Sequence, residues 1–129
     1  MQKHTSFNKT KKEEFKKRIY DYIVRLLAFL TKLSKSAVSR EIIRQLTRSG
    51  TSIGANYFEA QGASSKKDYR NYFNHSLKSA NESNFWLNIL CDANLIPQNL
   101  ISEYQWLSQE TQELASIFAS SILTMKSRK

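Results

Sequence analysis

Between Lys11 and Leu33 the apolar side chains Phe15, Ile19, Tyr22, Leu26, Phe29 and Leu33 recur at alternating intervals of four and three residues. That spacing keeps them on one face of an α-helix, so the pattern predicts a helix whose stripe faces a core. Ile23, Leu27 and Leu30 run beside the stripe and widen it. A face that wide is buried on more than one side or contributes to an interface. After a break at Leu33–Ser36, where Ser36 or Ser39 can cap a helix start, a second stripe begins. Its members are Ile43, Leu46, Gly50, Ile53, Tyr57 and Ala60, carrying the helix to about Gln61. Tyr69, Phe73, Ser76, Ala80, Ser83, Leu87 and Leu90 form a third stripe. Ser65 and Asp68 open it with a Ser-x-x-Asp variant of the capping box. Pro97, suited to a first helical position, precedes a fourth stripe of Leu100, Tyr104, Leu107, Thr111, Leu114, Phe118, Ser121 and Met125.

Short connections between long helices force antiparallel neighbours. The expected fold is all-α: an antiparallel up-down-up-down four-helix bundle over residues 11–126, with a flexible basic arm at 1–10 and a frayed basic tail at 127–129. With only three glycines and one proline in 129 residues, the turns that a sheet protein of this size requires are missing. Gly50 and Gly54 lie inside the second helix, where each costs about 1 kcal/mol relative to alanine. Their spacing points to close approach of a neighbouring helix or to a kink. Gly62 is expected to end that helix with positive φ.

The polar residues exclude more chemistry than they suggest. Di-iron bundles need Glu-x-x-His pairs, and no acidic residue here has a histidine three positions on. His75 stands alone on the third helix and His4 lies in the arm. No zinc spacing, haem-attachment motif or phosphate-binding glycine loop occurs. Cys91 is the single cysteine, so no intrachain disulfide forms; its apolar neighbours mark it as a small core side chain rather than a nucleophile. No catalytic residue, metal or cofactor is expected, and the protein reads as non-enzymatic. Neither a secretory signal nor a membrane span is apparent, which suggests a cytoplasmic location.

Charge carries the positive indication. The net charge is +9, but it is unevenly spread: up to Lys78 there are 17 Lys/Arg against 6 Asp/Glu, and beyond it 3 against 5. Arg40, Arg44 and Arg48 recur every four residues on the second helix, Lys66, Lys67 and Arg70 cluster at the start of the third, and Lys16 and Lys17 sit among the lysines opening the first. Rows of this kind hold a phosphate backbone without reading sequence; they also occur as plain solvated faces. The expected partner is RNA or DNA, docked on the side made by helices one to three. Ser52, Asn56 and Glu59 on the second helix and Glu82 on the third lie beside the core stripes. Counting from the hairpin turn near Ala63 places Arg48 within about one turn of Glu82, a span that a long arginine covers, predicting an Arg48–Glu82 ion pair or a network shared with Asn56 that fixes helix register.

The segment SIGANYFEAQGASSKKDY, with LKSANESNFWL after it, resembles the bacterial four-helix-bundle family that includes proteins encoded in intervening sequences of 23S ribosomal RNA genes. The resemblance covers the hairpin of the second and third helices, and its signature falls on Ser52, Asn56, Glu59, Gly62, Ser65, Lys67 and Glu82. It implies an antiparallel bundle assembled as a homopentamer. A related branch, the accessory proteins of diversity-generating retroelements, implies a basic surface for nucleic acid and a reverse transcriptase as partner. Gly54 departs from the commoner pattern, which often has proline or another small residue there. A protein-interaction scaffold with no nucleic-acid role is the competing reading, motivated by the wide first-helix face and the off-stripe Trp86 and Trp106.

Overall fold

The computed structural model describes residues 2–127, with side chains described from Thr10 onward; the end of the basic tail and the side chains of the arm lie outside it. Four long helices succeed one another: α1 (Gln2–Thr31), α2 (Ala37–Gln61), α3 (Lys66–Asp92) and α4 (Ile101–Ser127), the last entered through a 3₁₀ turn at Gln98–Leu100. No strand occurs among the described residues. No helix among them is long and apolar enough to cross a membrane.

The hydrophobic stripes account for the core. Ile19, Tyr22, Leu26, Phe29 and Leu33 of α1 and its end are buried, as are Leu46, Ile53, Tyr57 and Ala60 of α2. Phe73, Ser76, Ala80, Ser83, Leu87 and Leu90 of α3 join them, with Leu107, Thr111, Leu114, Phe118 and Ile122 of α4. One end of the bundle is aromatic: Phe15, Tyr57 and Phe73 surround Phe118, with ring centroids 5.2–6.3 Å apart across the group. Edge-to-face contacts of this kind suit ring quadrupoles. The buried Tyr22 hydroxyl is satisfied by Thr111 Oγ1 at 2.6 Å. Burial pushes the Tyr22 phenol up to about 12.

Several local expectations change. α1 begins at Gln2 rather than Lys11. Phe7 is the one large apolar residue between positions 3 and 10, so periodicity is silent where helix-tolerant polar residues simply continue the backbone. Both candidate caps of α2 are used: Ser39 N–H donates to Ser36 Oγ at 3.1 Å, and Ser36 N–H donates to Ser39 Oγ at 2.8 Å. Gly62 does end α2, but at φ −103°, not in the left-handed region. The left-handed cap belongs instead to Asn94, at φ 60°. There Leu95 N–H reaches Leu90 O and Asn94 N–H reaches Cys91 O, the Schellman arrangement that closes α3. Pro97 starts the 3₁₀ turn, one step ahead of α4 itself.

Small residues let the helices approach. Ser49 and Ser83 share a buried hydrogen bond of 2.8 Å between α2 and α3, and Ser76 Oγ donates to Ile53 O at 2.9 Å. These pairs climb one helix while descending the other. The two α2 glycines serve α1: a Cβ at Gly50 overlaps the Leu26 side chain, and one at Gly54 stands 2.5 Å from Ile23 Cδ1. Close approach, not a kink, explains them. Leu26 is wholly buried, whereas Ile23 is half-buried at an open groove. Gly50→Ala therefore forces overpacking and should lower stability by about 1–2 kcal/mol in chemical denaturation. At Gly54 the Ile23 tip can swing away, and the gain in helix propensity of about 1 kcal/mol offsets the crowding. Stability of Gly50→Ala at or above the parent's contradicts this packing.

Candidate nucleic-acid interface

The cations of the chain divide into those held by carboxylates and those facing solvent. On α1 the arginines are held. Arg18 donates from Nε and Nη2 to the two oxygens of Glu110, both at 2.8 Å, and from Nη2 to Glu113 at 3.0 Å. Arg25 grips Glu103 in the same forked way at 2.7 and 2.9 Å, and its guanidinium lies 3.6 Å from the centre of the Trp106 ring. Forked arginine–carboxylate pairs combine two charge-assisted hydrogen bonds with a fixed orientation. The Glu110 and Glu113 contacts push the Arg18 guanidinium well above its usual range. The Arg25 hydrogen bonds hold the Glu103 carboxyl below its ordinary value of 4.5. α1 is thereby tied to α4, and the acidic residues of α4 are consumed in doing so.

On α2, Arg40, Arg44 and Arg48 are exposed. Arg44 pairs with Glu41 at 2.7 Å, fully in solvent, while Arg40 and Arg48 have no ion-pair partner among the described residues. Lys66, Lys67 and Arg70 come together at the start of α3, where with Tyr69 and Met125 they line a groove of about 420 Å³. The Ser65 cap directs this helix start, with Asp68 N–H donating to Ser65 Oγ at 3.1 Å. A start of this kind adds the positive end of the helix dipole to three side-chain cations. The two α1 lysines separate: Lys17 pairs with Asp21 at 2.7 Å, and Lys16 lines an apolar groove between α1 and α2. They do not join the α3 cluster.

The expected polar network does not form. Arg48 and Glu82 make no ion pair among the described residues; Glu82 instead accepts from Trp86 Nε1 at 3.1 Å. Asn56 Nδ2 donates to Ser52 O at 2.9 Å, a bond within its own helix, and Glu59 is exposed. The two residues do lie within a turn of each other along the hairpin, but the helical phase was off by one residue: the buried partners are Ser49 and Ser83, one position beyond Arg48 and Glu82 on each helix. A serine pair fits the tight α2–α3 seam, where an arginine does not. Cys91 is half-buried against the core, and His75 is exposed. The α1–α4 clamps went unread in the sequence. Their signal was a matched interval of seven, Arg18 to Arg25 and Glu103 to Glu110, which on facing helices stacks two pairs two turns apart.

The model of the family described as 23S rRNA-intervening sequence protein matches residues 9–120. A crystal structure of a protein of unknown function from the S23 ribosomal protein family of Bacteroides thetaiotaomicron is similar to this chain. Their identity is 34% and TM-score 0.72, over 83% of this chain and 96% of that one. No curated protein matches.

The clamps generate two expectations. Arg18→Ala leaves Glu110, only 11% exposed at its side chain, without its cation; a loss of about 1.5–3 kcal/mol is expected in denaturant unfolding. Because Glu103 has a depressed folded pKa, its stabilisation is complete above about pH 4.5 and disappears as pH falls through the depressed value. Glu103→Gln should flatten that part of an acid-unfolding profile, and an unchanged profile refutes the assignment.

Proposed function

Because this chain belongs to the 23S rRNA-intervening sequence protein family, we propose that it is a non-enzymatic, cytoplasmic, homo-oligomeric helical bundle that binds RNA, or structured nucleic acid, through its phosphates. The observation that carries the reading is the partition of charge. The α4 carboxylates take the α1 arginines, while Arg40, Arg48, Lys66, Lys67 and Arg70 are left without ion pairs among the described residues. Arginine forks and lysine point charges both suit phosphate oxygens. Tyr69, lining the same groove as Lys66, Lys67 and Arg70, offers a ring face on which a base can stack.

In this reading the bundle is antiparallel and up-down-up-down, which the opposed course of the Ser49–Ser83 and Ile53–Ser76 pairs supports. Five copies form the assembly that the family resemblance implies. Repetition around a ring multiplies each basic row by avidity. The motivation for a scaffold reading, exposed aromatic surface, is met by self-association instead.

A mobility-shift series with RNA stem-loops tests the proposal. The intact protein should shift them at about 50 mM salt, with affinity falling steeply as salt rises. Arg48→Glu and Lys67→Glu should each weaken binding alike for all sequences and reduce the salt slope by about 1. Absence of any shift, or a stoichiometric protein partner that survives nuclease while RNA does not bind, overturns the reading in favour of a scaffold, such as an accessory subunit of a reverse transcriptase.

A further inference from the structure

The basic groove at the start of α3 does not end at its cations. Lys66, Lys67 and Arg70 line a recess of about 420 Å³ with Tyr69 and Met125. The same Tyr69 and Met125 line a second recess, of about 560 Å³, that runs on along α4. The two form one continuous trough. Its α4 wall carries Ser116, Ser120, Ser121 and Thr124, whose spacing keeps them on one side of the helix. Thr124 Oγ1 donates to Ser120 O at 3.0 Å. The hydroxyls of Ser116, Ser120 and Ser121 make no hydrogen bond among the described residues. Tyr69 stands at the junction, half-buried, its ring held against the buried Phe73 with centroids 4.7 Å apart.

The trough is chemically graded. One end holds three cations, and no carboxylate lines either recess. The acidic residues flanking it in sequence are engaged elsewhere: Asp68 accepts from Ser64 Oγ, and Glu113 accepts from Arg18 and Gln109. The other end holds neutral hydroxyls, which both donate and accept. A paired helix offers such a trough only its phosphates, because its bases are stacked and paired inside. An unpaired nucleotide offers a phosphate, a ring face and a hydrogen-bonding edge, one for each part of the trough.

We propose that the trough is a site for one unpaired nucleotide of an RNA strand. Its phosphate lies at Lys66, Lys67 and Arg70, its base stacks on Tyr69, and the base edge meets the hydroxyls of Ser116, Ser120 and Ser121. The proposal rests on the nucleic-acid reading of the protein and narrows it from phosphates in general to strands with a base splayed out. Cations alone draw loops and duplexes alike. The ring and the hydroxyls separate the two.

Fluorescence anisotropy on the full chain provides the test, with two labelled RNAs of equal nucleotide number at the same salt: a stem-loop with an open loop, and a fully paired duplex. The parent should bind the stem-loop about ten-fold tighter or more, the scale that stacking of one base supplies. Tyr69→Leu keeps an apolar side chain against Phe73 and removes the ring face, so it should erase most of that preference; Tyr69→Phe should restore it. A triple variant, Ser116→Ala with Ser120→Ala and Ser121→Ala, changes only positions outside the core. It should keep its helical circular dichroism and weaken stem-loop binding several-fold, with a far smaller effect on the duplex. Lys67→Glu, by contrast, should weaken binding of both RNAs. A parent that binds neither RNA overturns the nucleic-acid reading and this site together. A parent that binds RNA without preferring the stem-loop, or whose preference survives in Tyr69→Leu or in the serine triple variant, overturns the nucleotide site alone.

Discussion

Arg18 reaches across to Glu110 and Glu113, and two helical turns further along α1 Arg25 reaches across to Glu103. The packing of α1 against the rest of the bundle depends on these clamps. α1 carries a wide apolar face, and such a face alone specifies no unique rotation about the helix axis. Forked guanidinium–carboxylate geometry does specify one. With that rotation set, Leu26 is directed at Gly50 and Ile23 at Gly54. Tyr22 meets Thr111 in the interior at the same time. The Arg25–Glu103 clamp is partly exposed, so its worth in free energy is modest, while the Arg18 clamp covers the nearly buried Glu110. Their larger effect is selection of one packing among several that hydrophobicity would permit.

The α2–α3 hairpin is organised differently. Its seam includes small serine side chains, whose size sets the approach and whose hydroxyls are satisfied across it by Ser49–Ser83 and Ser76–Ile53. No buried side-chain polar atom among the described residues lacks a partner. At the level of the Ser49–Ser83 contact the helices leave no room for a large side chain, which explains why the neighbouring Arg48 and Glu82 stay outside.

Much of this was legible in the sequence. The four stripes named nearly every core residue, because the 3.6-residue period is a direct consequence of helix geometry. The Ser36 and Ser65 starts were legible because capping needs a particular side chain at a particular place. What escaped was information that depends on two helices at once. Arg48–Glu82 failed by one residue of phase, about 100° of rotation, since a count from the turn gives level but not facing direction. Residues 2–10 of α1 escaped because they carry no stripe. Gly62 and Asn94 were exchanged in role, as either residue tolerates positive φ and only the local hydrogen bonds decide which adopts it. Among the site residues, Lys66, Lys67 and Arg70 do meet in one groove. Arg44 and Lys17 are paired with neighbours, and Lys16 belongs to a different groove.

The consequence for function is a sorting of like charges by their partners. A net charge of +9 says only that some anion is attracted. Once the α1 arginines are held by α4, Arg40 and Arg48 on α2 and Lys66, Lys67 and Arg70 at the start of α3 are left without ion pairs among the described residues. Lysine acetylation footprinting of the intact protein, with and without an RNA stem-loop and read by mass spectrometry, reports on that sorting most directly. Charge sorting predicts that RNA protects Lys66 and Lys67 and leaves Lys17 as reactive as before. Protection spread evenly over all lysines, or confined to α1, contradicts it.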